Sequence, residues 1–252
     1  MHALGNDFCV FGSPTEKKLP DKDLICKICD RHYGVGCDCA VFVGYSNESD
    51  YFMHVYNPDG FEAEICGNAL RCSAKYVCDS GYFSKKHLNV QTRAGSRNVL
   101  VEKSAITTEI GIPHIEKAST INIAGINIPF VSVSLGNPHC VVFVNELTND
   151  EFNFLGRRIE NHPNFPEGTN VEFAFVSSNG SIEMRVWERG IGETLSCTTG
   201  SCACFAVAKH LGFEEDTCDV IQPGGTLKVI SNEDGYLSVT GNCTTVFKGQ
   251  LI

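Results

Sequence analysis

The stretch "WERGIGETLSCTTGSCACFAVAKHLGF", residues 187–213, places Cys197 where a polar, glycine-rich loop gives way to a small-residue helix. A helix start carries unsatisfied N–H donors and the positive end of the macrodipole, which favour a thiolate and any anion beside it. Gly212 follows at a spacing suited to a helix C-terminus. A second stretch, "CGNALRCSAKYVCDSGYF" from Cys66, has the same plan, with Gly81 at the same distance. The two cysteines are offset by 131 residues (197 − 66), and "LGNDFCV" at Leu4 precedes "LGNPHCV" at Leu135 by the same 131 (135 − 4). Two separate segments in one register imply two homologous halves. Each holds one LGN loop and one cysteine-headed helix.

Working outward, "VEFAFVSS" and "SIEMRVWE" around "SNGS" predict a β-hairpin with an Asn-Gly turn. "LKVISNEDGYLSVTG" predicts another through Asp-Gly, and "LNVQTRAGSRNVLVEK" and "TINIAGINIPFVSVSL" add short strands around glycine-containing turns. Helical periodicity covers about 21–30, 67–79, 150–161 and 199–210. The expected class is α+β with strands outnumbering helices. The seam lies near "EIGIPHIEKAST", which gives an N-terminal half of 1–111 plus 242–252 and a C-terminal half of 112–241.

The chain has 252 residues, 42% hydrophobic and 20% charged, an ordinary globular composition. A formal net charge of −10 argues against a nucleic-acid partner, since phosphate binding needs a basic surface. No stretch reaches transmembrane length, and "MHALGNDF" is no signal peptide, so the expected setting is cytoplasmic, away from membranes. Fourteen cysteines in a chain of this size without a secretory signal read mostly as small buried hydrophobes.

Two pseudo-symmetric halves usually bury a site between them. Two cysteine-headed helices aimed at one cleft suit one reaction class: one sulfur takes a proton from a carbon and the other returns one on the opposite face. That requires one thiolate and one thiol at a time, titrating as an unequal pair. The helix N–H groups would hold a carboxylate and stabilise charge building on it.

"GNDF", "NPDGFEAEICGN", "GNPHC", "EGTNVEF" and "ERGIGETLSC", in this order across nearly the whole chain, resemble the diaminopimelate epimerase family. The resemblance implies two domains, each a β-barrel-like sheet around a central helix. It also implies cofactor-free inversion at one α-carbon of diaminopimelate, LL to meso, in lysine and peptidoglycan-precursor synthesis. By position, Cys66 and Cys197 match the acid–base cysteines, and His139 and Glu188 match residues that assist them. Asn6, Asn57, Asn137, Asn170, Glu188 and Arg189 match side chains that hold the substrate, chiefly its distal amino-acid end. The backbone N–H groups of Gly67, Asn68, Thr198 and Thr199 match the cradle of the reacting carboxylate. Arg189 offers a planar fork for a carboxylate, and Glu188 can pair an ammonium. The expected partner is thus a small amino acid, and a homodimer is compatible with these features without being required by them.

Three positions depart from the family pattern, one of them, Ala69 in "CGNALRC" where many relatives have "CGNGARC", harmlessly within a helix. "CTTG" puts Thr198 where relatives carry glycine, which would be strained if that position needs positive φ. Cys39 stands near the substrate where relatives often carry glycine or glutamine. These changes motivate a wider or altered amino-acid range, or a homologue that binds but no longer turns over. Other readings compete. Cys26, Cys29, Cys37 and Cys39 have a zinc-like spacing, but Cys26 and Cys29 also fit a helical apolar stripe with Ile25 and Ile28, and the segment matches a family region that carries no metal. "GIGETL" lacks the last glycine of a dinucleotide loop, with Leu195 in its place, and "CGNALR" carries its arginine one position early for a cysteine phosphatase. A hydrolase using Cys197 and His139 leaves Cys66 and the repeat unexplained. Two sulfurs on one small cleft could also be oxidised to an inactivating disulfide, provided their Cα atoms approach within about 7 Å.

Overall fold

A computed structural model describes residues 1–116, 118–213 and 215–251. Among the described residues four helices and many short strands make an α+β fold of two units, Met1–Glu109 with Thr240–Ile252 and Ile110–Val239. These boundaries fall two residues before those drawn from the sequence.

In the first unit, strand Asn6–Gly12 runs parallel to Cys39–Gly44, which pairs antiparallel with Tyr51–Tyr56. Tyr51–Tyr56 then pairs parallel with His87–Thr92, which turns back antiparallel into Gly95–Val101. A parallel pair needs a crossover. Helix α1 (Lys22–Cys29) lies in the first crossover and helix α2 (Gly67–Asp79) in the second.

The second unit repeats this order strand for strand. Pro138–Phe143 is parallel to Asn170–Val176, which is antiparallel to Ile182–Glu188. Ile182–Glu188 is parallel to Thr217–Gln222, which is antiparallel to Gly225–Ser231. Helices α3 (Asn149–Glu160) and α4 (Thr198–His210) occupy the two crossovers. Even the register is shared: Phe8 pairs with Cys39 as His139 pairs with Asn170, each 131 residues on. The internal repeat is therefore one topology built twice.

The helices differ in how they are used. Every residue of α4 from Thr198 to Ala208 is buried, and the helix packs against strands that include Pro138–Phe143, Asn170–Val176, Ile182–Glu188 and Gly225–Ser231. Its small side chains let those strands come close, while Phe205 supplies about 2–3 kcal/mol of apolar burial. α2 likewise buries Gly67 through Ala74 against a core that includes Val41, Met53, Leu88 and Val90. By contrast, α1 and α3 bury single faces, Ile25, Ile28 and Cys29 in one and Phe152, Gly156 and Ile159 in the other. The buried pair sets the cores, and the amphipathic pair covers them.

Both buried helices end alike. Gly81 (φ 77°) and Gly212 (φ 107°) take the left-handed position just past the helix, while Tyr82 N–H and Phe213 N–H reach back to the carbonyls of Val77 and Ala208. The Asn-Gly hairpin is present, with Gly180 at φ 84° between Asn170–Val176 and Ile182–Glu188. The "IAGI" turn between Ser119–Ile123 and Ile126–Ser134 uses Ala124 (φ 52°) and Gly125 (φ 87°), the conformation that suits two-residue hairpins. Helix limits shift by no more than one residue from the periodicity. Asp21 and Asp30 are the caps of α1, and α3 starts one residue earlier because Thr148 and Glu151 form a capping box.

Candidate active site

Cys66 and Cys197 are the N-cap residues of α2 and α4, both in extended conformation (φ −140°, ψ 116° and φ −125°, ψ 116°). In each unit a sulfur therefore stands at the mouth of a buried helix.

Around Cys66, the first unit assembles polar side chains from three segments. Asn68 Nδ2 donates to Asn6 Oδ1 at 3.2 Å, and Asn6 Nδ2 donates to Asp38 Oδ2 at 2.9 Å. Arg31 bridges Asp7 and Asp38 at 2.9 and 2.6 Å. Burial works against ionisation of Asp7, but Arg31 and the Asp38 amide outweigh it and hold this carboxyl below its usual range. Arg71, fully buried, donates through Nη2 to Asn68 Oδ1. Cys39 Sγ faces Asn57 Oδ1 at 3.9 Å, and the Asn57 backbone closes the turn to Phe61. So Asn6 and Asn68 come together beside Cys66, and Cys39 and Asn57 form a second contact.

Around Cys197, the second unit is more enclosed. Cys197 as a residue is 8% exposed; its sulfur accepts the Gly200 N–H at 3.3 Å and lies 3.5 Å from Thr199 Oγ1. Cys197 N–H donates to Gln222 Oε1 at 2.7 Å, and Gln222 Nε2 donates to Ser201 Oγ at 3.0 Å, which itself donates to the Cys197 carbonyl. Asn137 Nδ2 donates to Thr199 Oγ1 at 3.3 Å, and Asn137 Oδ1 lies 3.1 Å from His139 Nε2. Asn170 Nδ2 donates to the Pro138 carbonyl and its Oδ1 accepts the Arg189 N–H, both at 3.0 Å. Glu188 Oε1 accepts from Thr194 Oγ1 at 2.5 Å.

Two expectations change. The helix start was expected to favour the Cys197 thiolate, yet burial pushes this thiol well above its ordinary value, reinforced by Glu188 and Glu172. The Thr199 and Gly200 hydrogen bonds pull the other way and lose. A desolvated sulfur near two carboxylates outweighs one helix end. Second, Thr198 carries no left-handed strain: Leu4 and Ala124 are the non-glycine residues at positive φ among the described residues, and Thr198 is the first residue of α4. The zinc-like cysteines divide. Cys37 and Cys29 sulfurs lie 3.7 Å apart, while a Cβ on Gly60 would meet Cys26 Sγ at 3.3 Å. Among the described residues no group of three or more His, Cys, Asp or Glu is arranged to hold a metal.

Sequence reasoning missed Arg71, the Arg31–Asp38 pair and Glu172. Glu172 Oε1 sits 2.6 Å from His139 Nδ1, with both side chains fully buried. Its one signal was a lone acid inside the apolar run "VEFAF".

The family model for diaminopimelate epimerase matches residues 1–115 and 131–246. The chain belongs to the diaminopimelate epimerase family. It is 38% identical to diaminopimelate epimerase of Desulfitobacterium hafniense over 275 residues, covering 100% of this chain and 96% of the relative. To the enzyme of that name from Carboxydothermus hydrogenoformans it is 40% identical over 269 residues, covering 99% and 97%. Among solved structures, it superposes on a probable proline racemase of Agrobacterium radiobacter K84 with TM-score 0.77 at 16% identity, covering 100% of this chain and 91% of that one. A hydroxyproline epimerase of Agrobacterium vitis matches with TM-score 0.72 at 16% identity, covering 95% and 87%. These two likenesses establish the fold. None of the described helices is long and apolar enough to cross a membrane.

Proposed function

We propose that this chain is a diaminopimelate epimerase, interconverting the LL and meso forms on the route to lysine and peptidoglycan precursors. Cys66 and Cys197 act as its two bases. One thiolate removes the α-proton from one face of the carbon and the opposite thiol returns a proton to the other, inverting the centre. The carrying observation is the pair of N-cap cysteines with matching backbone, heading equivalent buried helices of two units of identical topology.

The surroundings divide the labour. With its thiol raised, Cys197 starts as the acid in one direction of the reaction, with Cys66 as the opposing base. Donation of a proton from Cys197 then leaves a thiolate for which the Gly200 N–H and Thr199 hydroxyl are already placed. Backbone N–H groups of Gly67, Asn68, Thr198 and Thr199 receive the reacting carboxylate, a role suited to helix first turns. Asn6, Asn57, Asn137, Asn170, Glu188 and Arg189 recognise the remaining polar atoms, the distal ammonium pairing with Glu188 and the distal carboxylate with Arg189. Cys39, beside Asn57, borders that recognition set. The ordinary helical backbone of Thr198 supports retained turnover over a binding-only homologue.

The test is to incubate LL-diaminopimelate with the enzyme in D2O and follow meso product and α-deuterium by mass spectrometry. The expected result is deuterium-labelled meso product from the wild type and about 10²–10⁴-fold slower formation from either single cysteine-to-serine variant. Turnover undiminished in Cys66→Ser would sink the two-thiol reading.

A further inference from the structure

A buried carboxylate in the second unit is joined to the Cys197 sulfur by an unbroken series of polar contacts. Glu172 Oε1 lies 2.6 Å from His139 Nδ1, and His139 Nε2 lies 3.1 Å from Asn137 Oδ1. Asn137 Nδ2 is 3.3 Å from Thr199 Oγ1, and Thr199 Oγ1 is 3.5 Å from Cys197 Sγ. The four linking residues come from two strands, the loop before one of them and the first turn of α4.

Each link has a direction, because an amide has one donor end and one acceptor end, and a hydroxyl donates one proton. If His139 Nε2 carries hydrogen, it donates to Asn137 Oδ1. Asn137 Nδ2 then donates to Thr199, and the Thr199 hydroxyl is released to donate to Cys197 Sγ. With the Gly200 N–H already on that sulfur, two donors stabilise a thiolate. If Nε2 is bare, it accepts from the amide turned the other way round. Thr199 must then donate to Asn137 Oδ1, leaving its lone pairs to accept from the Cys197 S–H. One order suits the thiolate and the other suits the thiol. The amide orientation is thus set by the proton on a histidine.

We propose that Glu172 is a positioning residue that acts through His139, Asn137 and Thr199 to match the proton on His139 Nε2 to the charge on Cys197. Its carboxylate takes the Nδ1–H, so with one ring proton Nε2 is bare, and a second proton arriving at Nε2 is what turns Thr199 toward the sulfur. It rests on the proposed function only in taking Cys197 as alternately acid and base. The carboxylate is wedged where the cysteine helix starts: a Cβ on Gly200 would meet Glu172 Oε1 at 2.9 Å. Glu172 Oε2 is buried without a hydrogen-bond partner, so the His139 contact is what anchors this side chain.

The charged and titratable groups around the thiol are Glu172 and Glu188 on neighbouring strands and Cys204 on α4 itself. Cys140, on the strand that carries His139, also feels Glu172. The direct field of Glu172 on the sulfur opposes the thiolate. The two routes therefore predict opposite signs on removing the charge. Through the field alone, Glu172→Gln makes Cys197 more acidic. Through the relay, it makes Cys197 less acidic, because the neutral amide offers a second ring proton no opposite charge.

The experiment is the pH profile of iodoacetamide alkylation of Cys197 in the substrate-free enzyme, read on its own peptide by mass spectrometry. Glu172→Gln is expected to slow alkylation at pH 8 about tenfold and move the midpoint up by about one unit, the size of one lost hydrogen bond to a charged group. Thr199→Val should slow it comparably, Thr199→Ser should restore it, and the Glu172→Gln/Thr199→Val pair should be no slower than either alone. Faster alkylation in Glu172→Gln would show a carboxylate acting by field alone. An unchanged profile with only a lowered melting temperature would show a structural role. Full additivity in the double variant would show independent residues. Any of these overturns the proposal. Should Glu172→Gln not fold, an unchanged profile in Thr199→Val overturns it alone. Because no substrate is present, failure to epimerise diaminopimelate removes the substrate reading and leaves this result standing.

Discussion

At the Cys197 sulfur, burial and two carboxylates favour the thiol, while a hydroxyl and a helix amide favour the thiolate. The thiol prevails in the free enzyme. Alkylation of Cys197 is therefore expected to keep climbing with pH beyond about 9, past the range of an ordinary cysteine. A plateau below pH 8 in the same mass-spectrometric assay would contradict this. Removing either sulfur should lower α-hydrogen exchange about 10²–10⁴-fold, the usual weight of a positioned acid–base group. Thr198 makes a separate case. Its helical backbone has no strain to relieve, so Thr198→Gly should destabilise by up to about 1 kcal/mol through added chain entropy. A rise in the denaturant midpoint would revive the strain reading.

Among the elements, α3 depends on a glycine. A Cβ at Gly156 would meet Trp187 Cγ at 2.8 Å and Cβ at 2.9 Å, at the base of a ring whose Nε1 donates to Glu160 Oε2 at 2.7 Å. Alanine would gain about 1 kcal/mol of helix propensity. Overpacking a fixed indole costs about 1–3 kcal/mol, and the indole is held at its far end, so the clash wins. Gly156→Ala should lower stability in urea unfolding; Thr148→Ala should also lower it, by about 1 kcal/mol, by deleting the capping box. All four helices were legible because caps, periodicity and terminal glycines are local signals. The repeat told that the two halves share one plan, but the crossover order itself was not legible, since neither unit's strands announce which neighbours they choose.

For the molecule as a whole, pH acts from both sides. The thiols of Cys140, Cys197 and Cys204 are all raised in the folded state, with burial the largest cause in each. A raised folded value means stability is fully present below the unfolded thiol value and is lost as pH rises above it. The loss approaches about 1.4 kcal/mol per pH unit for each such group. Asp7 has the opposite sign: its lowered value gives stability present above the usual carboxylate range and lost as pH falls through it. That contribution is small, because Arg31 and Asp7 are well exposed. The melting temperature should therefore fall steeply above about pH 9 and only gently toward pH 3. A flat alkaline limb by calorimetry would show that these thiols are not protected.

The amino-acid sequence determined what is encoded over short distances or by duplication: the four helices, the Asn-Gly turn, the 131-residue repeat, and the cysteine, asparagine and carboxylate positions that mark the family. Tertiary structure alone decided which polar residues meet. Glu172 finds His139 across 33 positions, and Asn68 finds Asn6 across 62. Arg71 turns inward to Asn68 instead of outward to solvent. Periodicity tells which face of an element is buried, but a buried partner depends on the register between distant strands. The acidity of Cys197 was hidden for the same reason: the helix end is local, whereas the burial and carboxylates that override it arrive only when the chain has closed around them.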